Sequence, residues 1–144
     1  MSGKKKSLGS WFPTASMIKT NSYKADDKIC ICLFYQYVKP LWSDERKRDA
    51  ISYLENHASK LNIGGRMRVG TEGLNCTISG THKSIHEFTR LLGEFDHHFK
   101  TTDFKYMENL PVDRAFKDLK LLPVKELVYY GIDVEQEFEA GGTH

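Results

Sequence analysis

The alternation of apolar and polar residues along the chain predicts a sheet of short strands. Strands are predicted at residues 29–35, 66–71, 74–79 and 102–107, and a further extended piece at 116–128. The first of these is apolar on both alternating sets, which is typical of a strand in the middle of a sheet. The second and third are joined through Glu72 and Gly73, where glycine can adopt the positive φ of a tight turn.

Two amphipathic helices are predicted between these strands. In the first, apolar residues repeat at intervals of three and four over residues 50–61, with Ser43 as the N-cap. We expect Gly64 and Gly65 to end this helix. In the second helix, Thr81 is the expected N-cap. Its apolar stripe comprises Ile85, Phe88, Leu92 and Phe95.

The order strand, helix, strand, strand, helix, strand predicts an α+β fold of the ferredoxin-like, split βαβ type. Such a fold has a four-stranded antiparallel sheet with both helices on one face. We expect residues 28–135 to form this domain. Residues 1–27 are expected to be a flexible, basic N-terminal arm, and residues 136–144 a tail or linker.

The same alternation predicts which side chains lie on the sheet face that the helices leave open. If Met67 and Val69 fill the core, Arg66 and Arg68 must point the other way. The polar residues predicted on that face of the next two strands are Asn75, Thr77, Ser79, Asp103 and Lys105. Arginine and lysine on a flat sheet suit phosphate binding, although solvent-facing strand positions are usually polar in any case. The strands lack the paired aromatics of an RNA-recognition motif, and residues 66–73 are basic but offer no exposed ring to stack a base.

The cysteines and histidines offer little chemistry in the sequence alone. Cys30, Cys32 and Cys76 are an odd number without an export signal, and we expect buried, reduced thiols. His82 and His86 have the spacing of a two-histidine metal site on a helix, but the sequence indicates no third ligand. We therefore expect no metal and no cofactor.

Composition and motifs narrow the function classes further. The chain is 40% apolar and 28% charged with a net charge of +2, which permits a polyanionic partner without requiring one. No apolar run is long enough to cross a bilayer, and no secretory signal is present, so we expect an intracellular, cytoplasmic protein, with an organelle left open. The loop at residues 37–42 lacks the glycines of an anion-binding nest, which disfavours acyl phosphate hydrolysis.

Residues 65–80, GRMRVGTEGLNCTISG, resemble a motif of the rhodanese-related tRNA uridine hydroxylases. That motif reads G-R-hydrophobic-x-hydrophobic-A-x-E-G-hydrophobic-N-G-T-hydrophobic-S-G. Residues 116–131 resemble the family's second marker, Phe99 and Lys100 a minor third, and the likeness extends over residues 29–135. Two positions depart from the motif. Gly70 stands in place of its alanine, and Cys76 in place of its glycine.

The resemblance implies an N-terminal acylphosphatase-like domain that precedes a rhodanese domain carrying the catalytic cysteine. Together the two are associated with oxygen-dependent hydroxylation of the wobble uridine of tRNA. The chain would then be the non-catalytic, tRNA-recognising part, with tRNA and a rhodanese domain in cis as partners and no membrane contact. The residues expected to contact RNA are Arg66, Arg68, Lys100, Lys105 and Asn75, with Glu72 and Gly73 shaping the turn. The alternative is a packing module that supports a sulfurtransferase domain without binding RNA.

Overall fold

Six strands and two helices lie within residues 15–127, the part of the chain that the computed structural model describes. The strands are β1 (Ser16–Lys19), β2 (Ile29–Tyr37), β3 (Gly64–Gly70), β4 (Gly73–Thr81), β5 (Lys105–Leu110) and β6 (Asp118–Pro123). The helices are α1 (Asp44–Lys60) and α2 (His82–Phe95), and single 3-10 turns span His97–Lys100 and Val112–Arg114. None of the helices described is long and apolar enough to cross a bilayer.

The strands form one sheet in the order β1-β6-β3-β4-β2-β5. Its part β3-β4-β2-β5 is antiparallel throughout and has the split βαβ connectivity that the sequence predicts. The prediction of an α+β fold with two helices is confirmed, but the four-stranded sheet is wrong. β6 pairs in parallel with β3, and β1 pairs antiparallel with β6. β6 satisfies backbone groups that would otherwise be left open along the β3 edge, and β1 does the same for β6.

Both helices begin at the predicted caps. The side-chain oxygens of Ser43 and Thr81 each accept a backbone N–H from three residues further on, at 3.0 and 3.2 Å. The predicted end of α1 is wrong, because the helix stops at its last lysine and the left-handed residue is Asn62, with φ of 58°. Gly64 and Gly65 instead open β3.

A single hydrophobic core fills the space between the helices and one face of the sheet. The helices contribute Ala50, Leu54, Ala58, Ile85, Phe88 and Leu92, and the strands Phe34, Met67, Val69, Leu74, Cys76 and Ile78. Apart from Phe34 of β2, whose two alternating sets are both apolar, these are the positions that the apolar periodicity assigns to the interior. Since side chains alternate along a strand, the intervening residues of β3 and β4 point to the face that no helix covers.

Residues 15–28, the described residues before β2, are more ordered than the sequence indicates. Residues 16–19, predicted to belong to an irregular arm, form β1, and Ile18 packs against the core. Their partners in β6 are about a hundred residues away in sequence, so no local pattern predicts the pairing. Residues 1–14 and the predicted tail at 136–144 lie outside the described residues, and the predicted domain boundaries stay predictions.

Replacing Leu54 by alanine tests the packing of α1 on the sheet. Leu54 is 2% exposed, so Leu54→Ala should lower the free energy of unfolding by about 2–5 kcal/mol. Asn56→Ala, at an exposed position of the same helix, is the control and should change it by less than about 0.5 kcal/mol. Urea denaturation measures both. A Leu54→Ala loss no larger than that of the control would contradict the packing.

Candidate functional site

Strand register aligns basic side chains in a row across the helix-free face of the sheet. Arg66 pairs with Thr77 of β4 on one side and with Lys120 of β6 on the other. Thr77 pairs with Leu33 of β2, which in turn pairs with Lys105 of β5. Paired residues on neighbouring strands share a face and lie about 5 Å apart. Arg66, Lys105 and Lys120 therefore lie on one face, in what we call the basic row.

A second row lies beside the basic row, two residues along each strand. Asn75 of β4 pairs with Tyr35 of β2 on one side and with Arg68 of β3 on the other. Arg68 also pairs with Leu122 of β6. The two rows thus place four of the five RNA-contact candidates on one face: Arg66, Arg68, Asn75 and Lys105.

One residue expected on this face is buried. Ser79 is 0% exposed, and its hydroxyl accepts the backbone N–H of Phe116 at 2.9 Å. The segment that leads into β6 covers this end of β4, which a reading of local alternation does not reveal. Ser79 is therefore a structural residue that joins the two sequence motifs.

Exposed aromatic rings lie beside the basic row, on β2 and outside the stretch 66–73 for which no stacking ring was expected. Tyr35 is 65% exposed and Tyr37 is 40% exposed, with their ring centroids 6.0 Å apart. Leu33 and Met107 add exposed apolar surface on the same face. The sequence does contain a signal for these rings. Once Cys32 and Phe34 of the first strand are assigned to the core, the residues that alternate with them must point outward.

The basic side chains of this face differ in their surroundings. The Lys105 ammonium lies 2.9 Å from the Asp103 carboxylate, and this hydrogen bond raises the pKa of the lysine. Over residues 15–127, neither Arg66 nor Lys120 forms an ion pair with a carboxylate. The Asp103 charge thus offsets part of the basic row at its β5 end.

Lys100 does not belong to this face. It ends the 3-10 turn that follows α2, and its stem lies against Gly93 of that helix, where an added Cβ would come within 3.1 Å of the Lys100 Cγ. The side chain is exposed in the helix layer. The structure therefore separates Lys100 from the other RNA-contact candidates.

Glu72 and Gly73 hold the β3–β4 turn against the rest of the domain. The Glu72 carboxylate accepts the backbone N–H of Leu127 at 2.9 Å, and its carbonyl accepts that of Val38 at 2.9 Å. Gly73 has φ of 132°, and a Cβ there would overlap the Gln36 carbonyl oxygen. Both motif residues are thus explained by packing and hydrogen bonding within the protein.

The three cysteines are free and buried, as predicted. Burial, with the nearby Glu108 carboxylate, raises the pKa of Cys30 to about 12, and burial likewise raises that of Cys32 to about 12. Burial also raises the pKa of Cys76 well above its ordinary value. At neutral pH all three are protonated thiols and therefore poor nucleophiles.

The loop at residues 37–42 has little capacity to bind an anion through its backbone. The N–H groups of Val38, Lys39 and Trp42 donate to acceptors elsewhere in the protein, at 2.9, 3.2 and 2.9 Å. Pro40 has no N–H to offer. An anion nest needs successive free N–H groups, so these contacts disfavour a phosphate cradle in this loop.

On the other side of the sheet, a carboxylate joins the two histidines that the sequence pairs by spacing. Glu108 of β5 lies 2.9 Å from His82 Nδ1 and 2.9 Å from His86 Nε2. These hydrogen bonds lower the pKa of Glu108, so it is ionised at neutral pH. The Cys30 thiol also lies within this group. The expectation that no third ligand accompanies the histidines is therefore corrected.

Comparison with known proteins places this geometry in a family. The model of the UPF0176 acylphosphatase-like domain matches residues 29–127. The tRNA uridine(34) hydroxylase of Staphylococcus carnosus (strain TM300) is 31% identical over 113 residues, which cover 78% of this chain and 33% of that protein. That of Staphylococcus aureus (strain bovine RF122 / ET3-1) is 29% identical with the same coverage.

A structural comparison finds an acylphosphatase from Coxiella burnetii, with a TM-score of 0.40 and 16% identity over 68% of this chain and 94% of that one. The chain spans about a third of the length of the curated relatives it matches, and the match is to their N-terminal part. Because the family model covers well over half of the sequence, the chain belongs to the UPF0176 acylphosphatase-like domain family.

Proposed function

We propose that this domain is the non-catalytic, tRNA-recognising part of a rhodanese-linked tRNA wobble-uridine hydroxylase, and that it holds RNA on the helix-free face of its sheet. The relatives named tRNA uridine(34) hydroxylase support tRNA as the ligand. The observation that carries the proposal is the basic row, with an exposed tyrosine beside it on the same face.

The basic row and Arg68 would contact the RNA backbone. Arg66 and Arg68 are two residues apart on β3, so their Cα atoms are separated by about 7 Å. Guanidinium groups bind phosphate oxygens through paired, charge-assisted hydrogen bonds. Lys120 lies on the neighbouring strand beside Arg66 and extends the positive surface toward the edge of the sheet. Such contacts fix position without reading sequence.

Tyr35 would stack on an unpaired base. Its ring is 65% exposed. Tyr35 pairs directly with Asn75 of the neighbouring strand, and the Asn75 amide can hydrogen-bond a base edge. Stacking needs a base that is not already paired and covered by its neighbours. This combination of ring, amide and guanidinium favours a single-stranded loop of tRNA over its helical arms.

A second function is favoured by the apolar residues on the same face. Leu33 is 38% exposed and Met107 is 42% exposed, and Met17 at the far edge is 55% exposed. Exposed apolar side chains that share a surface with polar ones at its rim are typical of a protein docking surface. The face would then receive a rhodanese domain in cis, and the arginines would lie at that interface.

Removing both arginines tests the phosphate contacts. Arg66→Ala/Arg68→Ala should weaken tRNA binding at low salt and reduce the slope of log K against log salt by about 1.4–1.8, or about 0.7–0.9 for each contact. Fluorescence anisotropy over a salt series measures this slope. The melting temperature of the single variant Arg66→Ala should change little, because Arg66 is exposed, and circular dichroism reports whether the double variant folds.

Arg48→Ala/Lys83→Ala is the matched control, since it removes the same charge from exposed positions on the two helices. Its affinity and salt slope should stay close to those of the parent. If the Arg66/Arg68 variant binds tRNA as the control does, the arginines do not contact RNA and the docking function is the better explanation.

Truncating Tyr35 tests base stacking separately from charge. Tyr35→Ala should weaken binding of a single-stranded loop RNA by about 1–3 kcal/mol, the usual value of one base on an aromatic ring. Tyr35→Phe keeps the ring and should bind as the parent does. A duplex RNA of equal charge should bind both variants alike. Equal loop affinities for Tyr35→Ala and Tyr35→Phe would rule out stacking at this position.

The chain alone should not transfer sulfur from thiosulfate to cyanide at neutral pH. Its thiols are buried, and the pKa values of Cys30 and Cys32 are raised to about 12, so the thiolate that attacks sulfur is scarce below that pH. A colorimetric thiocyanate assay checks this. Turnover that disappears in Cys76→Ser would contradict a non-catalytic domain.

A further inference from the structure

We propose that His82, His86, Glu108 and Cys30 form a zinc(II) site on the helix-covered side of the sheet, where α2 packs against β2 and β5. These four residues come from three separate elements and meet only in the folded protein. The site lies on the opposite side of the sheet from the basic row, so it is independent of the proposed function.

The two histidines are already turned toward a common point. They lie one helical turn apart on α2, with ring centroids 4.2 Å apart. The carboxylate of Glu108 bridges them, 2.9 Å from His82 Nδ1 and 2.9 Å from His86 Nε2. The ring of His86 also stacks on Tyr106, at a centroid distance of 4.2 Å, which restricts its rotation. Ligands held in this way lose little freedom when a metal binds.

Cys30 of β2 is the remaining ligand of the proposed site. Its Sγ, a ring nitrogen of His86 and a carboxylate oxygen of Glu108 all lie within 4.8 Å of one another. Tetrahedral zinc, with bonds of about 2.0–2.3 Å, needs its ligand atoms about 3.3–3.6 Å apart. We expect side-chain rotations on metal binding to bring the ligand atoms to that spacing, with His82, the most exposed of the four, at the outer position.

The chemical types of the four ligand atoms favour zinc. Two imidazole nitrogens, one thiolate sulfur and one carboxylate oxygen are ligands that zinc accepts, whereas magnesium and calcium require mostly oxygen. On binding, the Cys30 sulfur forms a bond to zinc and its proton passes to solvent. Any proton held on the ligating histidine nitrogens is released in the same way, so the apparent affinity should rise with pH.

A second group of candidate ligands is already committed to structure. Asp96, His97 and His98 lie together after α2, but the Asp96 carboxylate accepts the Trp42 indole N–H at 2.9 Å and the His98 backbone N–H at 2.9 Å. These contacts cap the 3-10 turn and anchor Trp42. Within the described part of the chain this group therefore fits zinc less well and provides the control.

The test uses the full chain, with zinc and cobalt as the probes. Zinc titrated in competition with a chromophoric chelator should bind tightly at one equivalent and raise the melting temperature. Cobalt(II) should give the visible absorption of a tetrahedral complex, with a thiolate-to-cobalt charge-transfer band in the near ultraviolet. An octahedral cobalt spectrum, or no thiolate band, would overturn the four-ligand site.

Variants then identify the ligands. His82→Ala/His86→Ala should lower zinc affinity by more than about 100-fold, since even partners outside the first coordination shell contribute about 10–100-fold. Cys30→Ala should remove the charge-transfer band, and circular dichroism reports whether each variant folds. His97→Ala/His98→Ala should bind zinc as the parent does. Zinc binding retained in His82→Ala/His86→Ala, or lost in His97→Ala/His98→Ala, would refute the proposal.

Discussion

The backbone of β4 approaches β2 at Gly73 too closely for any side chain, and this contact fixes the register of the central sheet. A Cβ there would overlap the Gln36 carbonyl oxygen, and the pairing of Gly73 with Tyr37 starts an unbroken ladder between the two strands. Because side chains alternate with a period of two, a slip by one residue would exchange the faces of the strand. Tyr35 and Asn75 meet on the open face because this close approach sets their pairing.

Local signals predicted the helices and the direction of most strand residues. Ser43 and Thr81 cap the helices because a hydroxyl beside an apolar repeat acts through neighbours only three residues away. The extended piece predicted at 116–128 contains β6, but its place in the sheet and the strand β1 were missed. These two strands pair across about a hundred residues, and no local pattern encodes that contact. The same distant segment buries Ser79, whose polar side chain predicted an exposed position.

The candidate site was predictable only where local alternation along a strand places its residues. Arg66 and Arg68 follow from alternation beside Met67, which is a local argument. Lys120 joins them only through the parallel pairing of β3 with β6, and no sequence period specifies that register. The outward position of Tyr35 was not predicted, because both alternating sets of residues in β2 are apolar. Its outward side chains therefore resemble its inward ones.

The hydrogen bond from the Leu127 N–H to Glu72 determines where the chain leaves the described fold. It is reinforced by the bond from the Val124 N–H to the Val69 carbonyl, and both lie at the β3–β4 turn. Chain that follows Leu127 thus starts at the end of the sheet where Tyr37 stands. A ligand on this face and a reactive group tethered there would meet at a high effective concentration. If the sheet binds a ligand as proposed, even weak binding would keep that ligand close to a group tethered there.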